Sequence, residues 1–549
     1  MGRITGGEVV VQALRNEGVD VVFGLPGVQI MSIYDAFYDR SDISIMTVRH
    51  EQTAAYMADG YARVTGRPGV AVVAPGPGVQ NASAALGTAY ASSSPVLLLT
   101  GQVERSEIGT DCGALHELND QLGIVRPVTK WCYRVMESGE ILVALNEAMR
   151  QMQNGRPRPT EVEIPPDLLD AEGDATFVSR TPASPMAPDP AQVRRAAGLL
   201  RGARKPFIWA GGGVLIADAS RELTALAEAL GAPVATTAEG KGAIPEDHPL
   251  ALGAAYYGHG ASSWAAPKAD VILAVGTRLT DQMTGLNAPR KPQKLIRLDV
   301  DPNMVEKLYP ADIGIVADAR LGLEALREEV QKEGRSDRRL RVPWPKEEID
   351  DMRALQEGWL QEKAPDQCRI IRSMQRVLSD DTVIVAGLTN VAYWSYFDYK
   401  VSRPRSFITA SYFATLGYGF PLALGVKVGA PERPVVALVG DGGFMYALPD
   451  LATAVKYGIA VVTVVFVDNA FGASKDDQRT RFGGRMVGTD LHNPSFTEVA
   501  RVFGARGMRV EPERLDAALQ ETVELKGPTV IEVPIPTWTP PFQISPRLS

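Results

Sequence analysis

Short runs of β-branched and aliphatic residues alternate along the whole chain with longer stretches whose apolar positions recur at helical spacing. The runs 19–23, 43–48, 69–73, 95–100, 271–275, 383–385, 435–439 and 460–467 are predicted as strands, mostly apolar and without a regular in–out alternation. Stretches such as 7–17 and 221–230, rich in Ala and Leu, are predicted as helices. Strands that are apolar on both faces and separated by helices predict parallel sheets covered on both sides. No fixed-period repeat is visible, which argues against solenoids and propellers.

The pattern lapses in two places. Residues 181–190 (TPASPMAPDP) carry four prolines and read as an extended linker, and 332–348 (KEGRSDRRLRVPWPKEE) is dense in charge and reads as a solvated connection. The chain is therefore expected to form three doubly wound α/β domains, over about 1–180, 190–330 and 350–549. A length of 549 residues, at roughly 150 per domain, fits that division and excludes a single small binding module.

Composition narrows the function classes. The 65 acids exceed the 57 Lys and Arg, a net charge of −8 that speaks against a nucleic-acid partner. Hydrophobic residues at 45% and charged residues at 22% match a soluble globular enzyme. Cys112, Cys132 and Cys368 form no CxxC pair, which excludes a disulfide scaffold and fits a reduced compartment. The amino terminus lacks an apolar stretch of signal-peptide length, and the run 460–467 is too short to cross a bilayer. A cytoplasmic chain without membrane or nucleic-acid partners is expected.

Three segments carry candidate chemistry. In the first, the strand 435–439 runs into Gly440-Asp441-Gly442-Gly443, and the next strand delivers Asp468-Asn469-Ala470. A carboxylate at the carboxyl end of a parallel strand lies where such sheets bind ligands, and a second oxygen from the next strand can complete a cage for Mg²⁺ or Ca²⁺. Alone, the motif fits a ligand-free turn equally well. In the second, Glu51 stands at a strand-to-helix junction among apolar neighbours. A carboxylate there is costly without a function, although a helix start also favours acids. In the third, Ala74-Pro-Gly-Pro-Gly-Val-Gln-Asn81 leads into a helix whose exposed N–H groups suit a polar ligand, or simply cap the helix.

Together these segments resemble the thiamine-diphosphate enzymes of the acetolactate synthase-like group, which includes benzaldehyde lyase. The resemblance runs from Ile4-Thr-Gly-Gly-Glu8 and Phe23-Gly-Leu-Pro-Gly27 to Gly417-Tyr-Gly-Phe-Pro421, and it includes Gly211-Gly-Gly213, Gly276-Thr-Arg278 and Leu298-Asp-Val-Asp-Pro302 in the middle. It implies that the first domain binds the aminopyrimidine ring and the third binds the diphosphate. The two come from different subunits, so a homodimer or homotetramer is implied. Glu51 matches the catalytic glutamate that drives formation of the C2 ylid, which acts through an enamine. Pro26, Gly76 and Asn81 fall in the pyrimidine-binding segments. Leu416 matches the apolar wedge between the cofactor's rings. Thr389 and Asn390 sit where the family contacts the diphosphate, beside Gly440, Asp441, Gly442, Gly443 and Asn469. A spacing of 27 residues from Asp441 assigns the second side-chain metal ligand to Asp468, where relatives carry Asn, and a carbonyl ligand to Ala470. A register slip would pass the side-chain role to Asn469.

The resemblance implies substrates among 2-oxo acids, aldehydes and 2-hydroxy ketones, and a C–C lyase, carboligase or decarboxylase. Acetolactate synthase carries an Arg where this chain has Gln282, and an aromatic where 473–484 (ASKDDQRTRFGG) is polar, so that reaction stands as the alternative. A protein that binds the cofactor without catalysis is a third reading, which the intact Glu51 and Asp441 oppose. His116 aligns with a Gln that faces the reaction centre in relatives and could shuttle protons, or be a hydrogen-bonded structural histidine. Gln29 occupies the place of an active-site His in benzaldehyde lyase. The glycine-rich turns of the middle domain partly resemble the FAD contacts of acetolactate synthase. Benzaldehyde lyase has the domain without the flavin, and the sequence leans against FAD.

Overall fold

A computed structural model describes residues 3–38, 40–173, 177, 184–280, 293–332 and 343–544. Each domain is built on a six-stranded, all-parallel sheet flanked by helices. In the first, the strands lie in the order Ser44–Thr47, Val21–Gly24, Gly69–Val73, Val96–Gly101, Thr160–Ile164, Trp131–Arg134. In the third the order is Phe407–Ile408, Val383–Ala386, Val435–Gly440, Val462–Val467, Thr529–Pro534, Arg506–Arg509. Numbered along each domain, both sheets read 2-1-3-4-6-5. The middle sheet instead runs Ala251–Ala255, Val234–Thr237, Pro206–Ala210, Val271–Val275, Lys294–Asp299, Ile313–Val316, which reads 3-2-1-4-5-6.

Local chemistry sets where the helices begin. Thr5 and Glu8 form a reciprocal capping box on the helix Gly6–Asn16, satisfying amides that would otherwise lack partners. His50 caps the helix Glu51–Thr65 with its ring Nδ1, which accepts from Gln52 N at 3.2 Å. That helix ends at Gly66, whose φ of 74° permits the left-handed turn.

The same helix packs against Gly419–Gly429 of the third domain at very short range. A Cβ on Gly60 would lie 2.1 Å from the Leu422 carbonyl oxygen, and one on Gly425 would lie 2.0 Å from that of Met57. Only hydrogen fits at either position. One apolar core consequently continues from the first domain into the third, joining Tyr56, Met57 and Leu86 to Phe420, Leu422 and Leu424. The middle domain keeps its own core around Ile208, Leu273, Ile296 and Leu323. The three cysteines are free. Among the described residues, no helix is long and apolar enough to cross a membrane.

Candidate functional site

The first cluster forms at the carboxyl ends of the first domain's strands. The strand Ser44–Thr47 leads through His50 into Glu51, the first residue of its helix. Glu51 Oε2 accepts from Asn81 Nδ2 at 2.9 Å. Asn81 lies near the start of the helix Pro77–Ser92, which Gly76 caps with a φ of 61°. A Cβ at Gly76 would sit 2.5 Å from the His116 carbonyl oxygen, so the turn requires glycine for both its angle and this contact. His116 itself has a φ of 70°, and its Nδ1 is buried without a partner. Gln29 Nε2 donates to the Leu115 carbonyl at 2.9 Å, while its Oε1 is also buried and unpartnered. Pro26 lies exposed nearby in the chain. Glu51, Asn81, Gly76, His116 and Gln29 are thus linked into one wall. Two buried polar atoms on it lack protein partners, which is what a wall built against a polar ligand presents.

The second cluster forms at the equivalent end of the third sheet. The strand Val435–Gly440 delivers Asp441, whose side chain is buried. Its Oδ1 accepts from Gly442 N, and its Oδ2 accepts from Asn469 N and Asn493 Nδ2, each at 2.8 Å. Burial, reinforced by the charge of Asp468, pushes the Asp441 carboxyl up to about 6. The strand Val462–Val467 delivers Asp468 and Asn469. Asp468 Oδ2 accepts from Thr537 Oγ1 at 3.0 Å, its Oδ1 from Ala470 N at 3.3 Å, and burial raises its pKa as well. Asn469 Oδ1 accepts from Asn493 Nδ2 at 3.1 Å.

A buried carboxylate and a half-buried one, both pushed toward protonation by burial, form with the Asn469 amide oxygen a hard-oxygen set suited to a divalent cation. Among the described residues, no group of three His, Cys, Asp or Glu forms such a site, so any metal here relies on this mixed set. Gly440 lies against Thr389, where an added Cβ would meet the Thr389 Cβ at 3.4 Å. Leu416 is half-buried in the turn before Gly417, and an added Cβ on Gly443 would stand 3.8 Å from Gly417 N. Asn390 is not brought in with them. Its Nδ2 donates to the Trp538 carbonyl at 2.8 Å and its Oδ1 accepts from Gln367 at 3.1 Å, so both ends of the amide are occupied elsewhere.

Asn493, Thr537 and Gln121, whose Oε1 accepts from Gly76 N at 2.8 Å behind the wall, were missed in the sequence. They reach the site from loops and a short helix that carry no motif, so only tertiary contact reveals them. Gln282 lies outside the described residues. Among the described residues, no hydrogen bond joins the first-domain cluster to the third-domain cluster.

A cavity of about 1030 Å³ opens where the three domains meet, at the carboxyl ends of the middle sheet. The turns Gly211-Gly-Gly213 and Gly276-Thr-Arg278 leave neighbouring strands there, with Gly213 N donating to the Gly276 carbonyl at 3.0 Å. Arg156, Arg278 and Arg405 line it with Asp299. Burial, then repulsion from Arg158 and Arg278, lowers the Arg156 pKa to about 10. The Arg278 guanidinium lies 4.3 Å from the centre of the Tyr412 ring.

Three family models match the chain. They are the thiamine pyrophosphate enzyme N-terminal TPP binding domain over residues 4–124, the central domain over 193–326 and the C-terminal TPP binding domain over 386–533. The chain is 35% identical over 550 residues to a probable acetolactate synthase large subunit of Methanocaldococcus jannaschii, covering 96% of this chain and 92% of that one. It is also 35% identical over 547 residues to the probable 2-ketoarginine decarboxylase AruI of Pseudomonas aeruginosa, covering 96% and 94%. It is 34% identical over 544 residues to the acetolactate synthase isozyme 3 large subunit of Escherichia coli, covering 95% and 93%.

Proposed function

The chain belongs to the thiamine pyrophosphate enzyme family, and on that premise we propose that it makes or breaks the carbon–carbon bond next to the carbonyl of 2-oxo acids, aldehydes or 2-hydroxy ketones. Thiamine diphosphate, when bound, supplies a thiazolium carbon that adds to the substrate carbonyl and accepts the electron pair of the breaking bond. The observation that carries the proposal is Glu51, a carboxylate fixed by Asn81 in a wall with unpartnered polar atoms on Gln29 and His116. Glu51 would hold the aminopyrimidine and govern its proton, between Pro26, Gly76 and Asn81. His116 and Gln29 would face the substrate and handle its hydroxyl or carbonyl proton.

In the third domain, Asp441, Asp468 and the Ala470 carbonyl would hold Mg²⁺, with Ca²⁺ an adequate substitute. A cation there would relieve the burial cost of the two carboxylates. Thr389, Gly440, Gly442, Gly443 and Asn469 would border the diphosphate, and Leu416 would support the rings. Asn390 would act through Trp538 and Gln367, by fixing the start of its helix.

The middle-domain cavity supports FAD, against the lean of the sequence. Its volume, its two glycine turns at the 1/4 switch of a 3-2-1-4-5-6 sheet, and three arginines fit an anionic dinucleotide. The apolar surface beside both clusters supports a homodimer or homotetramer. Val28 is 72% exposed and Leu115 62%, next in sequence to Gln29 and His116, while Met445 and Tyr446 stand exposed just past Asp441. A second copy covering them would bring the first-domain wall of one chain toward the third-domain cage of the other.

The polar stretch 473–484 favours a decarboxylase or lyase over acetolactate synthesis, and AruI is a relative as similar as the synthases. The test is incubation with Mg²⁺, thiamine diphosphate and pyruvate, following CO₂, acetolactate and acetoin, with further 2-oxo acids, aldehydes and acyloins in parallel. Turnover that requires both the metal and thiamine diphosphate is expected. Acetolactate as the main product would replace the lyase or decarboxylase reading with the synthase one. Cofactor binding without turnover of any panel member would overturn the enzymatic proposal.

A further inference from the structure

Behind the first-domain wall lies a polar network that the proposed mechanism leaves unused. The strand Thr160–Ile164 carries Glu161 and Glu163, both fully buried. Glu163 Oε1 accepts from Arg134 Nε and from Gln102 Nε2, and its Oε2 accepts from Gln121 Nε2 at 2.7 Å. Gln121 Nε2 also reaches Thr100 Oγ1 at 3.2 Å and the Gly101 carbonyl at 3.0 Å. Thr100 donates in turn to Glu161 Oε1 at 3.0 Å. Burial, then the charge of Glu163, holds Glu161 well above the usual carboxylate range.

This arrangement leaves the Gln121 amide one orientation. Three acceptors surround its nitrogen, so its oxygen must point the other way, where it accepts from Gly76 N at 2.8 Å. Gly76 stands between Pro75 and Pro77, so its N–H is the only backbone donor in that three-residue turn. Gln121 therefore pins the turn through its one available hydrogen. The same turn bears the His116 carbonyl against Gly76 and starts the helix that carries Asn81 to Glu51. Burying two carboxylates beside a half-buried arginine is a poor way to gain stability, because apolar residues of equal volume would serve as well or better. It is an effective way to give a buried amide a single orientation.

We propose that Gln121 is a positioning residue for the reaction, fixing through Gly76 the wall that carries Glu51, Asn81 and His116, with Glu163, Arg134 and Thr100 as its support. The inference rests on the proposed role of Glu51, and its first test is independent of that role. Amide hydrogen exchange is followed in the wild-type protein without cofactor, using overlapping peptides across 74–82. Gly76 N–H should be protected to a degree comparable with the strand Val96–Gly101. Exchange at the rate of an exposed loop overturns the proposal, and this arm needs no variant to fold.

The second test compares Gln121→Met and Thr100→Val with wild type. In Gln121→Met, protection at Gly76 should be lost and kcat should fall at least about tenfold, while the apparent affinity for thiamine diphosphate changes less than about threefold. Thr100→Val should move both readouts the same way by a smaller factor. Unchanged kcat, or parallel loss of kcat and cofactor affinity with Gly76 still protected, would contradict it. A wild-type protein that binds the cofactor yet turns over no substrate would defeat the proposed function, leaving the exchange arm to judge the pin itself.

Discussion

The first and third domains share one strand order, 2-1-3-4-6-5, yet present opposite chemistry at the same sheet edge. After strand 3 the first domain continues Ala74-Pro75-Gly76 and offers a backbone N–H to Gln121, while the third continues directly into the Asp441 carboxylate. After strand 4 the first domain keeps a neutral Gln102, while the third places Asp468 and Asn469. In the first domain the carboxylates Glu161 and Glu163 stay behind the wall, holding it in place; in the third, Asp441 and Asp468 are the wall. A shared topology supplies equivalent positions, and under the proposed function the residues there would divide the labour: one sheet would move a proton, the other would hold a cation and its phosphates.

The sharpest break of that division is Glu51→Gln. It should lower kcat by about 10³-fold, with Mg²⁺-dependent thiamine diphosphate binding retained, measured by steady-state turnover beside cofactor titration. The mirror experiment is Asp441→Ala, which removes the carboxylate that Gly442, Asn469 and Asn493 converge on. Apparent Mg²⁺ affinity should weaken at least about 100-fold, with any residual turnover at saturating metal still dependent on Glu51. If the two variants gave the same kinetic signature, the division of roles would be wrong.

The seam between the two domains offers a smaller effect. Gly60→Ala places a methyl group where the Leu422 carbonyl oxygen stands, and should cost about 1–3 kcal/mol in denaturant unfolding. The smallest effect concerns Asp59 on the same helix, buried 4.0 Å from Arg63 Nη1, its pKa raised by burial against the pull of that charge. A carboxyl whose folded pKa lies above its unfolded value keeps its proton longer in the native state. Stability is then greatest below the unfolded pKa and falls as pH rises through the folded one. Asp59→Asn should flatten the stability profile above pH ~4, and an unchanged slope would show that Asp59 does not contribute to it.

Much of this comparison is legible in the sequence, for physical reasons. Central strands such as Val435–Gly440 are apolar on both faces and announce themselves, and the helix Gly6–Asn16 carries its own capping box. Trp131–Arg134 and Thr160–Ile164 are not among the predicted strands, because WCYR is half polar and TEVEI buries two glutamates. Tertiary hydrogen bonds from Arg134, Thr100 and Gln121 outweigh what local composition signals there. Glu51 and Asp441 are legible because each interrupts an apolar pattern at a strand end. Asn493 and Gln121 are not, since their partners lie 52 and 45 residues away. Spacing alone also leaves open whether Asp468 or Asn469 faces the metal. In the structure both adjoin Asp441, Asn469 through its backbone N–H and Asp468 through its charge.

The division of labour is tested most directly by mixing the two defective chains. In the proposed dimer each site joins the first-domain wall of one chain to the third-domain cage of the other. A hybrid of Glu51→Gln with Asp441→Ala then contains one doubly defective site and one intact site. Co-refolded or co-expressed in equal amounts, the pair should recover about a quarter of wild-type activity, since random pairing makes about half of the dimers hybrids with one working site each. Activity no greater than that of the separate variants would contradict the account, because it would mean that Glu51 and Asp441 do not serve a shared site between two chains.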